Sequence, residues 1–222
     1  MAHPILYIGN KNYSSWSLRP WLALKWGAIA FEERVIALGG EGYGQAKIAA
    51  VLAISPSGRV PALHASGIVI HDSLAICEWA GERAPLWPDH ANTRALARSA
   101  AAEMHSGFAA LRRDLSMNLR RRMERAPAWP EDTSADLARL FDLWGGLRAR
   151  HGGDGPWLFG ARSIADAMFA PVATRLRTYK VDMPEAVQSY CATMLADADF
   201  KAWERAALDE TWTIAQTEEL YR

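Results

Sequence analysis

The sequence predicts an α/β domain over residues 1–83 and an all-α domain over residues 93–222, joined by a linker at 84–92. In the first part, strand-like and helical runs follow the order strand, helix, strand, helix, strand, strand, helix. That order is typical of a compact sheet covered by helices. The linker, APLWPDHAN, contains two prolines and no periodicity, and only helical patterns of comparable strength follow it.

The N-terminal part begins with a short apolar run, PILYIG (4–9), which predicts the first strand. Leucine and tryptophan residues at helical spacing predict a helix over about 17–27. FEERVIAL (31–38) alternates in polarity and predicts the second strand. A short helix is expected within residues 45–54, ahead of a Ser-Pro pair that disfavours helix.

A β-hairpin is predicted next, from RVPAL (59–63) and GIVIH (67–71) with a tight turn at residues 65–67. The helical run SLAICEWAGERA follows it. Because serine is a preferred helix N-cap, we expect Ser73 to cap this helix.

In the sequence after the linker, the helical pattern predicts one long helix over 91–123, softly interrupted at Gly107. Further helices are predicted over 134–150, 163–178, 184–195 and 197–209. Ser163 and Asp166 have the spacing of a capping box at the start of one of them. The basic run Arg120, Arg121, Arg122 and Arg125 is interpreted as a solvated helix face.

Charge and composition exclude several classes of protein. Lys plus Arg equals Asp plus Glu, at 25 each, so no general nucleic-acid partner is expected. The chain has no long apolar span and its N-terminus does not resemble a secretory signal, which favours a cytoplasmic protein without membrane contact. Cys77 and Cys191 predict no disulfide framework, and the six histidines lack ligand spacing, so no metal is expected.

Three motifs in order resemble the soluble glutathione transferases. They are YSSWSLRPWLALK (13–25), SPSGRVPAL (55–63) followed by IHDSLAICEW (70–79), and SIADAMFAP (163–171). The nearest form is the serine-type branch that includes the zeta class, the maleylacetoacetate isomerases. The resemblance implies a thioredoxin-like N-terminal domain, a helical C-terminal domain carrying the electrophile site, glutathione as co-substrate, a homodimer and a role in detoxification.

A serine at a helix start can stabilise the glutathione thiolate by donating a hydrogen bond at the positive end of the helix. The resemblance makes Ser14 the first choice and Ser15 the second, while Ser17 is expected within the first helical turn. Tyr7 and Tyr13 are the alternative donors, because other glutathione transferases use tyrosine.

The resemblance also implies the glutathione contacts. The Val60-Pro61 bond is expected to be cis, so that Val60 pairs with the cysteinyl backbone. Asp72 suits the γ-glutamyl ammonium, and Ser73 with nearby amides suits its carboxylate, although capping alone would explain a serine there. For the glycyl end, the predicted partners are Gln45 and Arg59, with Lys47 as an alternative to Arg59.

The electrophile is expected beside Trp16, Met104, Phe108 and Arg112, although apolar residues at helical spacing are more often core. Trp16 stands where the zeta class has cysteine, which excludes mixed-disulfide chemistry at this position. Two further positions bear on the substrate. Arg19 suits packing or substrate contact equally, and Thr178 aligns with an arginine that holds a substrate carboxylate in the zeta class.

The predicted function is therefore a glutathione transferase that joins the thiolate to a small hydrophobic electrophile. A glutathione-dependent cis–trans isomerase of the maleylacetoacetate type is the first alternative. A non-catalytic module that binds glutathione or another ligand is the second.

Overall fold

The computed structural model describes residues 3–153 and 155–221. Its sheet has four strands in the order β2-β1-β3-β4. The strands are β1 (Ile5–Gly9), β2 (Glu32–Ile36), β3 (Ala62–Ala65) and β4 (Ile68–Ile70). β1 pairs parallel to β2 and antiparallel to β3, and β4 completes a hairpin with β3. The predicted order of elements in the N-terminal part is confirmed, with shorter strands.

Three helices accompany the sheet: α1 (Ser15–Trp26), α2 (Ala49–Leu52) and α3 (Ser73–Gly81). Leu6 and Ile8 of β1 and Leu18 and Leu22 of α1 are fully buried in one core. Because side chains alternate along a strand, Leu6 and Ile8 share one face of β1. Burial of these side chains fixes α1, and with it the loop that precedes α1, relative to the sheet.

The second part is helical. Its helices are α4 (Ala91–Ser106), α5 (Ala109–Asp114), α6 (Glu131–His151), α7 (Ile164–Thr178), α8 (Glu185–Ala196), α9 (Ala198–Asp209) and α10 (Ala215–Glu218). α7 lies at the centre and is buried along almost its whole length, against both α1 and α4. The fold class predicted from the sequence, an α/β unit followed by a helical region, is confirmed.

The start of α7 carries the predicted capping box. One oxygen of the buried Asp166 carboxylate accepts the backbone N–H of Ser163 at 2.9 Å. The other oxygen accepts the N–H of Leu158 and the hydroxyl of Tyr190, at 3.1 and 3.0 Å. This single side chain therefore joins the start of α7 to the preceding loop and to α8.

The prediction of one helix over 91–123 was wrong. α4 ends at Ser106, Phe108 adopts a left-handed φ of 55°, and α5 ends at Asp114. Buried Arg175 of α7 donates to the carbonyl of Leu115 at 2.7 Å, which stabilises the end of α5. Tertiary hydrogen bonds thus replace the helical ones beyond this point.

The basic run was also misinterpreted, because its residues lie outside any helix. Arg120 donates to the carbonyls of Glu210 and Trp212, at 3.0 and 2.6 Å. Arg121 donates to the carbonyl of Glu218 at 2.5 Å. These guanidinium groups hold the segment that follows α9, and the sequence did not predict the short helix α10 within that segment.

Cys77 and Cys191 are buried free thiols. None of the helices in the described ranges combines the length and the apolar character needed to cross a bilayer.

Candidate active site

A cavity of about 430 Å³ lies between the start of α1, the residues before β3, the start of α3 and one side of α4. Most of the residues predicted for the site line it: Ser14, Ser15, Trp16, Arg59, Val60, Pro61, Asp72 and Ser73. The structure therefore brings together three motifs that are separated by up to 59 positions in the sequence.

Ser14 is the residue at the N-cap position of α1, but its side chain makes no capping hydrogen bond. Instead its Oγ lies 2.7 Å from Oγ of Ser17, which in turn accepts the N–H of Gly9 at 3.1 Å. If Ser17 donates to Ser14, the Ser14 proton is free to point into the cavity. Ser15 lines the same cavity one residue further on, at the positive end of the helix.

The two tyrosines considered as alternative donors are engaged elsewhere. The Tyr13 hydroxyl donates to the Glu218 carboxylate at 2.5 Å, although its ring lines the cavity. Burial, together with this hydrogen bond, raises the pKa of Tyr13 above its usual value. Tyr7 accepts a hydrogen bond from Arg34 at 3.2 Å and does not line the cavity.

The Val60-Pro61 bond is cis, as expected. Both residues lie before Ala62, the first residue of β3, and not within the strand as the sequence pattern indicated. A proline outside the ladder removes no sheet hydrogen bond. Val60 therefore lines the cavity just ahead of β3, and among the described residues it has no partner in the sheet. Arg59 is exposed at the rim.

The N-cap of α3 is Asp72, which corrects the expectation that Ser73 would cap this helix. Asp72 has an extended backbone, and its Oδ1 accepts the N–H groups of Leu74 and Ala75 at 2.8 and 3.1 Å. Ser73 is already helical and only 2 % exposed, and its hydroxyl has no hydrogen-bond partner among the described residues. A buried unpaired hydroxyl that lines a cavity is an available ligand contact.

His105 of α4 completes this end of the cavity, and the sequence reasoning missed it. Its Nε2 lies 3.3 Å from Oδ2 of Asp72, and its ring meets Trp16 edge-on at 5.5 Å. Its Nδ1 is buried and finds no partner among the residues that the structure describes. Only the docking of α4 against α3 places this side chain, so no local sequence signal announced it.

Four predicted site residues do not line the cavity. Gln45 is exposed, between the lining residues Gly44 and Ala46. Met104 and Phe108 belong to the hydrophobic core. Arg112 is half-buried behind Trp16, with its guanidinium carbon 5.6 Å from the ring centroid.

Arg19 lies under Trp16, with its guanidinium carbon 4.4 Å from the ring centroid. It is 1 % exposed, and within residues 3–153 and 155–221 its Nε and Nη1 atoms have no hydrogen-bond partner. Burial and the neighbouring guanidinium groups of Arg175 and Arg112 lower the pKa of Arg19 to about 9. Arg19 and Arg112 therefore lie behind Trp16, with Arg175 close to both, and none of the three forms a salt bridge within the described residues.

Comparisons with known proteins identify the fold. Residues 13–83 match the family model of the glutathione S-transferase N-terminal domain. A glutathione transferase homologue from Burkholderia gl BGR1, solved with bound glutathione, superimposes with a TM-score of 0.70 at 23% identity. The match covers 94% of this chain and 100% of that one. The chain has the glutathione transferase fold.

Two further structures share this glutathione transferase fold. Maleyl pyruvate isomerase, a bacterial zeta-class protein, is 22% identical, with a TM-score of 0.70 and coverage of 94% and 100%. A theta-class glutathione S-transferase from Xanthomonas axonopodis pv. citri, solved with glutathione, is 22% identical, with a TM-score of 0.64 and coverage of 96% and 100%. No curated protein sequence matched the chain.

Proposed function

We propose that the protein is a glutathione transferase in which Ser14 activates the glutathione thiol for attack on a small electrophile. The observation that carries the proposal is the Ser14 hydroxyl, which lies at the cavity and at the start of α1, 2.7 Å from the Ser17 hydroxyl. We infer that Ser17 donates this hydrogen bond and so leaves the Ser14 proton for the thiolate. Ser15 serves as a neighbouring donor. The proposal keeps residues 1–83 as the glutathione-binding domain and 93–222 as the electrophile domain.

Glutathione fits the cavity by the chemistry of its three parts. The backbone of Val60 pairs with the cysteinyl unit, and Arg59 at the rim attracts the glycyl carboxylate. The free hydroxyl of Ser73 binds the γ-glutamyl carboxylate at the start of α3. The second oxygen of Asp72, which faces His105, attracts the ammonium group. These contacts place the thiol near Ser14.

The chemistry then needs one proton transfer and one bond exchange. The thiol loses its proton to solvent, and the Ser14 O–H donates to the resulting thiolate. Such a charge-assisted hydrogen bond contributes about 1.5–3 kcal/mol, or roughly one to two pKa units. The sulfur lone pair forms a C–S bond with the electrophilic carbon, and the leaving group departs with its electron pair.

A glutathione-dependent isomerase is a second candidate, favoured by the arginines behind Trp16. Thr178, which aligns with the zeta-class arginine, is buried and donates to the carbonyl of Asn118 at 3.1 Å, so it is not a substrate contact. Arg19, Arg112 and Arg175 supply positive charge instead. An anionic substrate with a double bond would then add the thiolate, rotate and release it.

Glutathione binding by wild type and Ser14→Ala tests the proposal, with the thiolate followed by its ultraviolet absorbance across pH. We expect the alanine variant to raise the pKa of the bound thiol by about one to two units. Ser106→Ala, in an exposed serine at the end of α4, is the matched control. An unchanged pKa in Ser14→Ala would reject Ser14 and direct the same test to Ser15.

Two substrates separate the enzymatic candidates. Conjugation of an aryl halide without turnover of maleylpyruvate or maleylacetoacetate supports the transferase, and the reverse supports the isomerase. A wild-type protein that binds no glutathione in calorimetry would overturn both.

We also infer that the protein is a cytoplasmic homodimer with a role in detoxification. Sedimentation equilibrium measures the state of assembly.

A further inference from the structure

The serine loop, residues 10–14, is a tight turn that leads from β1 to Ser14. The carbonyl of Asn10 accepts the N–H groups of Tyr13 and Ser14, at 3.1 and 2.8 Å. The N–H groups of the two central residues, Lys11 and Asn12, are thereby left without a partner inside the turn. Both residues are buried, so these amides need an acceptor from elsewhere.

Glu210, the first residue after α9, supplies that acceptor. Its two carboxylate oxygens accept the N–H groups of Lys11 and Asn12, at 2.7 and 3.1 Å. The backbone of Glu210 is held in turn, because its carbonyl accepts from Arg120 at 3.0 Å. Hydrogen bonds to an ionised acceptor are among the strongest in proteins.

The rest of segment 210–218 continues along the same loop and reaches the cavity. Glu218 accepts from the Tyr13 hydroxyl at 2.5 Å and from Asn118 at 2.9 Å. Between these two glutamates, Ile214 is 1 % exposed and lines the cavity. One segment therefore holds both the turn that leads to Ser14 and part of the cavity wall.

We propose that Glu210 is a positioning residue for the reaction: it fixes the serine loop and thereby the placement of the Ser14 hydroxyl. The inference rests on the proposed function, since the placement of Ser14 matters only if its hydroxyl stabilises a thiolate. Segment 210–218 is then part of the active site, although Glu210 touches neither glutathione nor the electrophile.

The matched variants are Glu210→Gln and Glu219→Gln. Both replace a glutamate of the same region with its isosteric amide, but the Glu219 side chain is exposed and makes no hydrogen bond within the described residues. Glutamine retains one acceptor oxygen but places an NH2 donor opposite the second backbone N–H, so Glu210→Gln removes one hydrogen bond and the charge without leaving a hole. This design limits the risk that the variant fails to fold.

Two measurements are made on the full chain. Hydrogen exchange of the backbone amides of residues 10–14, without glutathione, reports how firmly the loop is held. The kcat, the KM for glutathione and the pKa of the bound thiol report the placement of Ser14. We expect faster exchange, a loss of kcat of about 10- to 100-fold with KM changed less than about threefold, and a raised thiol pKa. Glu219→Gln should match wild type.

The outcomes separate this inference from the proposed function. Unchanged exchange in Glu210→Gln would show that the carboxylate does not hold the loop. Faster exchange with wild-type kcat and thiol pKa would show that the held loop does not position Ser14. Either result overturns the inference while wild type still binds glutathione. Failure of wild type to bind glutathione would instead overturn the proposed function, and this inference with it.

Discussion

The hydroxyl oxygens of Ser14 and Ser17 lie 2.7 Å apart, and Ser17 also accepts the N–H of Gly9 at the end of β1. The three residues form a short chain of hydrogen bonds from the sheet to the cavity. Because Ser17 is fully buried, its hydroxyl is shielded from bulk water. Ser17 was expected only to begin the helix, and we propose that it orients the Ser14 hydroxyl, the group proposed for thiolate stabilisation.

Ser17→Ala should raise the pKa of the bound glutathione thiol, by less than Ser14→Ala does, because Ser14 remains but loses its orienting partner. The free energy of unfolding should also fall by about 1–3 kcal/mol, since the buried N–H of Gly9 loses its acceptor. Thiolate absorbance and urea unfolding measure the two effects. A thiol pKa equal to that of wild type would show that Ser14 needs no orientation by Ser17.

Ser73→Ala should separate binding from stability. The Ser73 hydroxyl has no partner in the part of the chain that the structure describes, so its removal should change the free energy of unfolding by no more than about 0.5 kcal/mol. The dissociation constant for glutathione should rise about tenfold or more, because a hydrogen bond to the γ-glutamyl carboxylate is lost. Calorimetry and urea unfolding measure these effects, with Ser106→Ala as control. Unchanged affinity would exclude Ser73 from the site.

Arg19→Met should leave the free energy of unfolding unchanged or raise it by about 1–3 kcal/mol. The reason is that the guanidinium is buried near two other cations and forms no salt bridge within the described residues, and methionine retains much of its volume. Thermal and urea unfolding measure the change. A loss of several kcal/mol would mean that the stacking of Arg19 on Trp16 outweighs the cost of the buried charge.

Ionisation of Asp166 should lower the free energy of unfolding as pH rises from about 4 to about 6. Burial raises the pKa of Asp166 to about 6, against the hydrogen bonds that favour its ionised form. In this window the unfolded chain loses the Asp166 proton first, so ionisation favours unfolding, and above about pH 6 the effect is constant. Across this window, the free energy of unfolding lost through ionisation of Asp166 is on the order of 3 kcal/mol.

Asp166→Asn isolates this effect from the other titrating groups. Urea unfolding at each pH gives the free energy of unfolding of wild type minus that of Asp166→Asn. This difference should decrease as pH rises from about 4 to about 6. A constant difference would mean that Asp166 has the same pKa in the folded and unfolded chains. An increasing difference would mean that its folded pKa is lowered.

Part of the site could be predicted because the information is local. The Ser14 segment, the Val60-Pro61 pair and the Asp72-Ser73 pair are short patterns whose residue types suit turns, cis bonds and helix starts. Even so, the sequence assigned the cap of α3 to Ser73, whereas Asp72 holds it. Both residue types cap helices well, and only the backbone angles at Asp72 decide between them.

Other features depended on contacts that no local pattern contains. Helical spacing continued past Gly107, but the left-handed Phe108 and the buried Arg175 end α4 and α5 in this region. His105 reaches the cavity only through the packing of α4. Glu210 meets Lys11 across 199 positions of sequence.

The sequence by itself determined the order of strands and helices and the motifs from which we propose a glutathione site, because hydrophobic period and turn chemistry are encoded within a few residues. Tertiary structure alone decided which hydroxyl is free, where the long helix breaks, and which carboxylate holds the serine loop. Buried N–H groups and hydroxyls must find partners wherever the packed chain supplies them. The whole fold therefore decides that the Ser14 hydroxyl has a partner in Ser17 and that the Ser73 hydroxyl has none among the described residues.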